Sequence, residues 1–278
     1  MGEVVCTLAE GEHVSGVTVM EGMIYILRDK ERDQVEVYDV NTYRLKRRLT
    51  VPNARRFADI TSCDHYQYAY MSDPIGKCVH RLDLRGNVKM WRVNDVPACL
   101  SVNIVRNLLV TCRDVLKIKE FSSSGYYLRD IPLHDSVLNP RHALEVCSGG
   151  FVVCHGSRRQ SDSSPVHRVC KVSADGRQVV HSHGGHWGSD ADRYNGPHHL
   201  AVDDNEFVYV VDVFNRRVMR LSPTMDFARQ LVVSRKSTCW PSRLCLDVER
   251  QRLYVTENEL REGDSTAVGR VLVFSVTM

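Results

Sequence analysis

Six units of short predicted strands recur along the 278-residue chain at a spacing of roughly 43 residues. Aligning each unit on the residue that opens its first strand gives intervals of 40, 43, 43, 57 and 44 residues between the anchors Ser15, Arg55, Ala98, Arg141, His198 and Ser242. Repeats of this length that hold four strands each are typical of propeller blades. The sequence therefore predicts an all-β fold, a six-bladed β-propeller.

The clearest unit runs from Arg193 to Leu231. Turn signals such as Gly196-Pro197 and Ser222-Pro223 separate short apolar runs, and the run 207–211 is continuous, as in a strand buried on both faces. No long stretch of the unit repeats at helical spacing. These features predict a four-stranded sheet.

Several positions of this unit resemble an NHL repeat. Tyr194 and Pro197 precede the first strand, 200–203 reads Leu-Ala-Val-Asp, the second strand ends at Asp212, and 215–218 reads Asn-Arg-Arg-Val, where the family has Asn-His-Arg-Val. The resemblance implies an NHL-type propeller similar to the C-terminal NHL domain of tripartite-motif (TRIM-NHL) proteins. Members of that family bind RNA or proteins through one face of the propeller.

We expect one propeller domain over residues 1–278. Its last unit contains only three strands, and the apolar segment Val4 to Leu8 at the other end of the chain supplies a fourth. Pairing of this segment beside Val271 to Val276 would close the ring and cover an open sheet edge. The expected blades are approximately 12–52, 53–95, 96–135, 136–185, 194–234, and 239–278 plus 3–9.

Composition narrows the setting of this domain. The net charge is +3, so overall charge alone does not indicate nucleic acid. No apolar run approaches ~18 residues, so no membrane span is expected. The ten cysteines lack Cys-x-x-Cys spacing and lie mostly in apolar runs, which favours buried free thiols over a disulfide framework. We therefore expect a cytoplasmic, monomeric domain.

Catalytic motifs are not evident. The chain has no Gly-x-Ser-x-Gly, Walker or His-Glu-x-x-His motif. Peptidylamidoglycolate lyases, propellers related to NHL repeats, hold zinc at the central axis through histidines from several blades, yet His198 is the one histidine among the six anchors here. We expect no bound metal, no cofactor and no enzymatic activity, although the histidine-rich stretch around 181–199 leaves a zinc-dependent lyase or hydrolase as a remote alternative.

The anchors and the turns between second and third strands should share one face of the propeller, which we call the upper face. That face collects basic and aromatic residues, and the candidate ligand-binding residues are Arg55, Arg56, Arg141, His198, His199, Arg216, Arg243, Trp187 and Tyr194. Cations bind phosphates and aromatic rings stack on bases, so the set suits single-stranded RNA. The alternative is that Tyr194 packs between blades and the arginines form a solvated rim.

Asp212 and Arg217 are interpreted separately. Charged side chains next to buried strands are usually paired, so these two residues predict a structural ion pair and not a ligand site. The functional hypotheses are then a non-catalytic binding module for an anionic partner, RNA first, or a protein-interaction domain that recognises substrates for a ubiquitin ligase. Ligase activity itself would need a RING domain, which this sequence lacks.

Overall fold

The computed structural model describes residues 4–28, 34–156, 165–226, 228–233, 238–259 and 268–276. These residues form six antiparallel sheets of four strands each, which confirms the six-bladed β-propeller. Four further basic residues in the segments between second and third strands, Lys30, Arg32, Arg158 and Arg159, lie outside the described residues.

In blades 1 to 3, the four strands of each sheet are consecutive in the chain. Their strands are β2 (Val14–Met20), β3 (Met23–Arg28), β4 (Gln34–Asp39) and β5 (Leu45–Thr50) in blade 1; β6 (Asp59–Cys63), β7 (Tyr68–Asp73), β8 (Cys78–Asp83) and β9 (Val88–Arg92) in blade 2; and β10 (Pro97–Val102), β11 (Leu108–Cys112), β12 (Lys117–Phe121) and β13 (Tyr127–Pro132) in blade 3.

Blades 4 to 6 continue the same order, and the last blade takes one strand from the N-terminal end. Their strands are β14 (Pro140–Glu145), β15 (Phe151–Gly156), β16 (Val166–Val172) and β17 (Val179–His186) in blade 4; β18 (Pro197–Val202), β19 (Val208–Asp212), β20 (Arg217–Leu221) and β21 (Ala228–Val233) in blade 5; and β22 (Cys239–Asp247), β23 (Arg252–Glu259), β24 (Val268–Ser275) and β1 (Val4–Glu12) in blade 6.

Strand β1 is the outer strand of blade 6 and closes the propeller. It pairs antiparallel with β24, with Val4 opposite Phe274 and Leu8 opposite Val271. The predicted closure by 4–8 beside 271–276 is therefore confirmed. The pairing removes an exposed edge from the last sheet and holds a chain end in place.

Apolar side chains pack between neighbouring blades and form the core. Between blades 4 and 5, for example, Val152 and Val169 belong to one buried cluster with Leu200 and Val210. The second strand of blade 5 is buried along its whole length, as its continuous apolar sequence predicts. The outer strand of blade 1, in contrast, is mostly exposed and basic.

The inner strands share an irregularity that decides which side chains meet at the axis. In five of the six, pairing with the second strand shifts by one residue near the start, as between Pro197 and His199 or between Pro241 and Arg243. Such β-bulges re-aim the side chain that follows. The side chain of the residue after each bulge therefore points in a different direction from the side chain of the anchor that precedes it.

One predicted anchor was wrong. Asp59 pairs with Ser72 at the register position where His199 pairs with Val211, so the residue of blade 2 equivalent to His198 is Ala58. Arg55 lies three residues earlier, in the loop that leads into the blade. Phe57 stands where four other blades have the proline that begins the bulge, and the alignment placed the start of blade 2 too early.

Helical structure is almost absent from the described residues. A single 3₁₀ turn, Val213–Asn215, is found in them, so they contain no helix with the length and apolar surface that a membrane span requires. Seven of the ten cysteines are buried, and all ten are free thiols.

Candidate functional site

A ring of chemically active side chains surrounds the propeller axis, one from each inner strand. The register places the residues after the bulges, and their equivalent in blade 2, at the same level: Gly16, Asp59, Cys99, His142, His199 and Arg243. We call this set the axial ring. Five of its six members can donate or accept a hydrogen bond through the side chain, an unusual concentration for the interior of a protein.

Arg243 and Asp59 pair across the axis. The guanidinium Nε of Arg243 lies 3.1 Å from Oδ1 of Asp59, and its terminal nitrogens donate to the backbone carbonyl of Ala58 at 2.6 Å and to Nδ1 of His198 at 2.7 Å. Both members of the pair are buried. The predicted ligand-binding role of Arg243 is therefore not supported by its surroundings, because its donors are already engaged inside the protein.

The two axial histidines lie against each other. The rings of His142 and His199 are stacked, with centroids 4.1 Å apart and planes at 22°. Nδ1 of His142 accepts the backbone N–H of Leu200, and Nδ1 of His199 accepts that of Leu244. Each neutral ring therefore carries its proton on Nε2. Nε2 of His142 donates to the carbonyl of Leu100 at 3.1 Å.

Acceptance of a backbone N–H from the next blade is a repeated feature of the axial ring. Oδ2 of Asp59 takes the N–H of Leu100 at 2.8 Å, just as His142 and His199 take theirs from Leu200 and Leu244. The inner edge of each sheet would otherwise leave these donors unpaired in the interior, at a cost of about 1–3 kcal/mol each. The ring therefore joins neighbouring blades. His199 is buried in this role and does not lie on the upper face, which corrects the prediction for it.

Burial sets the protonation states of the ring. It lowers the pKa of His142 well below the ordinary histidine value, and it also lowers the pKa of His199. Burial by itself would raise the pKa of Asp59, but the adjacent imidazole of His199 and then the guanidinium of Arg243 outweigh it and hold that pKa below the usual range. At neutral pH the ring thus contains neutral imidazoles and one compensated carboxylate–guanidinium pair.

Metal binding by the axial ring is disfavoured by its charges. Asp59, His142 and His199 present ligand atoms within 4.8 Å of one another. However, Arg243 already neutralises Asp59, and both nitrogens of His142 are engaged. Nε2 of His199 faces Oδ1 of Asp59 at 3.3 Å without the alignment of a hydrogen bond. A second cluster, Asp73, Cys78 and His80, lies within blade 2, and among the described residues no lysine or arginine lies within ion-pair distance of its carboxylate.

A cavity of about 880 Å³ lies along the axis below the ring and opens on the lower face, where the inner strands end. Its mouth is acidic, with Glu21, Asp64, Glu145, Asp247 and Glu249 among the lining residues, and Arg250 there pairs with the last two. Burial, followed by the neighbouring carboxylates Glu21 and Glu249, raises the pKa of Asp64. Carboxylates so close together repel anions, so this end of the channel does not suit phosphate.

The upper mouth has the opposite charge. Arg141 is partly exposed there, and burial together with the nearby guanidinium of Arg113 lowers its pKa. Within the described part of the chain, no acidic side chain pairs with the guanidinium of Arg141. The positive groups of Arg141 and Arg243 also help to lower the pKa of neighbouring His198, after burial, which is the larger effect. The structure therefore brings Arg141, His198 and Arg243 together.

The remaining predicted residues lie farther out. Arg55 and Arg56 are exposed on the loop into blade 2, and Arg216 is half-buried in the turn between β19 and β20, in the left-handed backbone region at φ 54°. Trp187 directly follows β17, in the connection from blade 4 to blade 5, and is 56% exposed. These four residues form an outer circle around the upper mouth.

Tyr194 does not belong to this circle. Its ring is fully buried in the cluster between blades 4 and 5, and its hydroxyl lies 3.0 Å from Nδ1 of His183. The prediction that Tyr194 contacts a ligand was wrong, because the aromatic position before the first strand fills the space between two blades. Phe214, 42% exposed, takes the outward position instead.

The sequence-based anchors lie one position before the residues of the axial ring, so the sequence did not identify the ring. The anchors Ala98, Arg141, His198 and Ser242 each precede a ring member. Moving the alignment forward by one position would have found Cys99, His142, His199 and Arg243, and the signal for this shift is the proline two residues earlier, where four of the bulges begin. Asp59 would still have required the corrected start of blade 2.

The fold and its axial ring define a six-bladed β-propeller with a polar axis. Among solved structures it is similar to a virginiamycin B lyase from Staphylococcus aureus crystallised with quinupristin, with a TM-score of 0.63, 9% identity and 98% of each chain covered. A streptogramin B lyase gives a TM-score of 0.62 at 8% identity, covering all of this chain and 87% of the other.

A further similar structure is the PQQ-bound aldose sugar dehydrogenase from Streptomyces coelicolor, with a TM-score of 0.69, 10% identity and 98% of each chain covered. No protein-family model matches this chain. No curated protein matches it either. At such low identity the likeness to these enzymes concerns the fold alone.

Proposed function

We propose that this chain is a non-catalytic binding module, that its upper face recognises an anionic partner, and that this partner is single-stranded RNA. The observation that carries the proposal is Arg141. It is a desolvated cation beside Arg113 and Arg243, with no acidic partner among the described residues. An arrangement that costs stability in the free protein is expected where an anion supplies the missing charge.

The charge difference between the two mouths supports the same face. Arg141 and Arg113 lie at the upper mouth, whereas Asp64, Glu145 and Glu249 line the lower one. An extended polyanion is therefore attracted to one end of the axis and repelled from the other. The outer arginines 55, 56 and 216 extend the positive surface around the upper mouth and fit a chain of phosphates better than a single small anion.

Aromatic side chains beside these cations favour a nucleic acid with accessible bases. Trp187 and Phe214 are both substantially exposed, near the entry to blade 5. Base–aromatic stacking contributes about 1–3 kcal/mol per base and is tolerant of sequence. Single strands expose base faces for such stacking, and duplexes do not.

The repeat sequence of blade 5 supports the finer class. Its Leu-Ala-Val-Asp and Asn-Arg-Arg-Val segments resemble an NHL repeat, so we assign the domain to an NHL-type propeller similar to those of TRIM-NHL proteins. Recognition of RNA through the upper face is among the functions that this resemblance implies. The proposed setting is cytoplasmic, in a monomeric domain.

The test is fluorescence anisotropy with a labelled random single-stranded RNA pool at several salt concentrations. The variant carries Arg55→Glu, Arg141→Glu and Arg216→Glu. Arg243 is left intact because of its pair with Asp59. The matched control carries Arg85→Glu, Arg106→Glu and Arg177→Glu, three exposed arginines on turns of the lower face.

We expect the wild type and the control to bind with affinity that falls as salt rises, and the upper-face variant to lose binding with little change in melting temperature. Absence of wild-type binding at low salt would overturn the RNA assignment. Salt-insensitive capture of a protein through Trp187 and Phe214 would instead assign the face to protein recognition. Equal losses in both triple variants would show non-specific charge attraction and reject the site.

A further inference from the structure

At the upper ends of the second and third strands, two blades have an acidic residue facing an arginine, and blade 2 has an acidic residue facing a cysteine. In blade 5, Asp212 faces Arg217 and accepts from its Nε at 2.9 Å, which confirms the predicted structural pair. In blade 6, Glu257 faces Arg270 and accepts from its Nε at 2.8 Å. In blade 2, Asp73 occupies the acidic position, but a cysteine, Cys78, stands opposite it.

This exchange leaves a buried carboxylate without a cation. Asp73 is completely buried, and among the described residues no lysine or arginine side chain lies within ion-pair distance of it. Its oxygens accept the backbone N–H groups of Arg55 at 2.8 Å and Gly76 at 2.7 Å. A buried carboxylate that lacks a counter-charge costs several kcal/mol, so the site is incomplete as it stands.

His80 completes a three-residue cluster around this carboxylate. Its Nε2 lies 3.4 Å from Sγ of Cys78 and 3.8 Å from Oδ2 of Asp73. Zinc bonds of about 2.3 Å to sulfur and 2.0–2.2 Å to nitrogen or oxygen place tetrahedral ligand atoms roughly 3.3–3.6 Å apart. Nε2 of His80 therefore already lies at nearly the distance from each of the other two ligand atoms that a shared zinc ion requires, and all three atoms lie within 4.8 Å of one another.

We propose that Asp73, Cys78 and His80 bind a zinc ion inside blade 2. The thiolate and the carboxylate together carry two negative charges, which Zn²⁺ neutralises, and binding releases the thiol proton of Cys78 to solvent. Sulfur, imidazole and carboxylate in tetrahedral geometry are the ligand set of zinc among common biological cations. A water molecule completes the coordination.

The surroundings hold the ligands in place. The ring of His80 is fully buried and packs edge-on against Phe57, with centroids 5.6 Å apart. The two backbone N–H groups on Asp73 orient its carboxylate, as outer hydrogen bonds commonly do at metal sites. A Cβ at Gly76 would lie 2.7 Å from the Asp73 carboxylate and 3.0 Å from Sγ of Cys78. Glycine at this position therefore lets the backbone of the turn approach the cluster closely.

The ion would do in blade 2 what arginine does in blades 5 and 6. It would link the end of β7 to the start of β8 and fix the turn over residues 74–77. The inferred site revises the sequence-based expectation of no metal. None of its three ligands is exposed on the upper face, so the ion would not itself contact RNA, although Asp73 holds the backbone N–H of Arg55.

The first experiment measures zinc by elemental analysis in protein purified without chelator, together with X-ray absorption of the zinc edge. We expect about one equivalent per chain, coordinated by one sulfur. Cys78→Ser should lose the metal. Cys63→Ser, a buried cysteine at the opposite end of blade 2, is the matched control and should retain it.

Cobalt substitution of the wild type distinguishes the ligand set without any variant. Bound Co²⁺ should show a thiolate-to-cobalt charge-transfer band, and zinc should remove it. Chelation of the wild type should lower the melting temperature and added zinc should restore it, a readout that holds even if Cys78→Ser fails to fold. Zinc-free protein whose melting temperature ignores added zinc would overturn the proposal, as would a bound metal with no sulfur ligand.

Discussion

Arg243 in the last blade and Asp59 in the second blade form a buried ion pair across the propeller axis, although 184 residues separate them in sequence. The pair joins blades 2 and 6, which flank blade 1, near the centre of the propeller. Asp59 also holds the backbone N–H of Leu100 in blade 3. Three blades thus meet at one carboxylate.

We predict that Arg243→Met lowers the free energy of unfolding by about 3–5 kcal/mol, because it leaves Asp59 charged and buried. Asp59→Asn should be similarly harmful, and the double variant should lose less than the sum of the two. Urea denaturation measures all three. Lys46→Met, which breaks a more exposed pair with Asp39, is the control and should cost no more than about 1 kcal/mol. Additive losses would show that the two side chains act independently.

Removal of residues 1–10 should lower the melting temperature by about 10 °C or more, because the outer edge of β24 becomes exposed and the ring opens. Differential scanning calorimetry provides the measurement. Within the same strand, Leu8→Ala should cost about 2–5 kcal/mol because Leu8 is buried, while Val5→Ala should be nearly neutral at 44% exposure. An unchanged melting curve for the truncated chain would reject the role of β1 as a latch.

Arg141→Met should weaken RNA binding while leaving stability unchanged or raising it by about 1 kcal/mol, since a desolvated cation without a partner is removed from beside Arg113. Binding is followed by anisotropy and stability by urea denaturation. Arg217→Met provides the contrast, because it strands the buried carboxylate of Asp212 and should be strongly destabilising. A comparable loss of stability in Arg141→Met would identify Arg141 as a structural residue.

Acid should destabilise the propeller well above the range in which carboxylates titrate. Burial, assisted by the charge of Arg168, lowers the pKa of His155 to about 4. The unfolded chain binds a proton at this histidine below about pH 6.5, whereas the folded chain does not until about pH 4, so stability falls as pH drops through that window. The loss from this residue amounts to roughly 3 kcal/mol.

The measurement is urea denaturation between pH 7 and pH 4. His155→Asn keeps an acceptor for the backbone N–H of Leu138, which His155 binds through Nδ1, and should flatten the pH dependence by about one proton. Identical slopes in the wild type and His155→Asn would show that His155 does not titrate on unfolding.

The number of blades and the way in which the ring closes were predictable from the sequence alone. Both depend on local signals: short apolar strands separated by turns, units that recur at intervals of 40 to 57 residues, and a last unit that lacks one strand while 4–8 offers a spare one. The Asp212–Arg217 pair was predictable for the same reason, since its members face each other across a single hairpin.

The tertiary structure alone decided which side chains reach the axis. A bulge of one residue turns His199 inward after His198, and no local composition distinguishes these two adjacent histidines. Arg243 contacts Asp59, and Tyr194 packs between two blades, because the closed propeller brings distant segments of the chain together. Strand alternation makes the facing of a side chain depend on register, and register is a property of pairs of strands that no single segment contains.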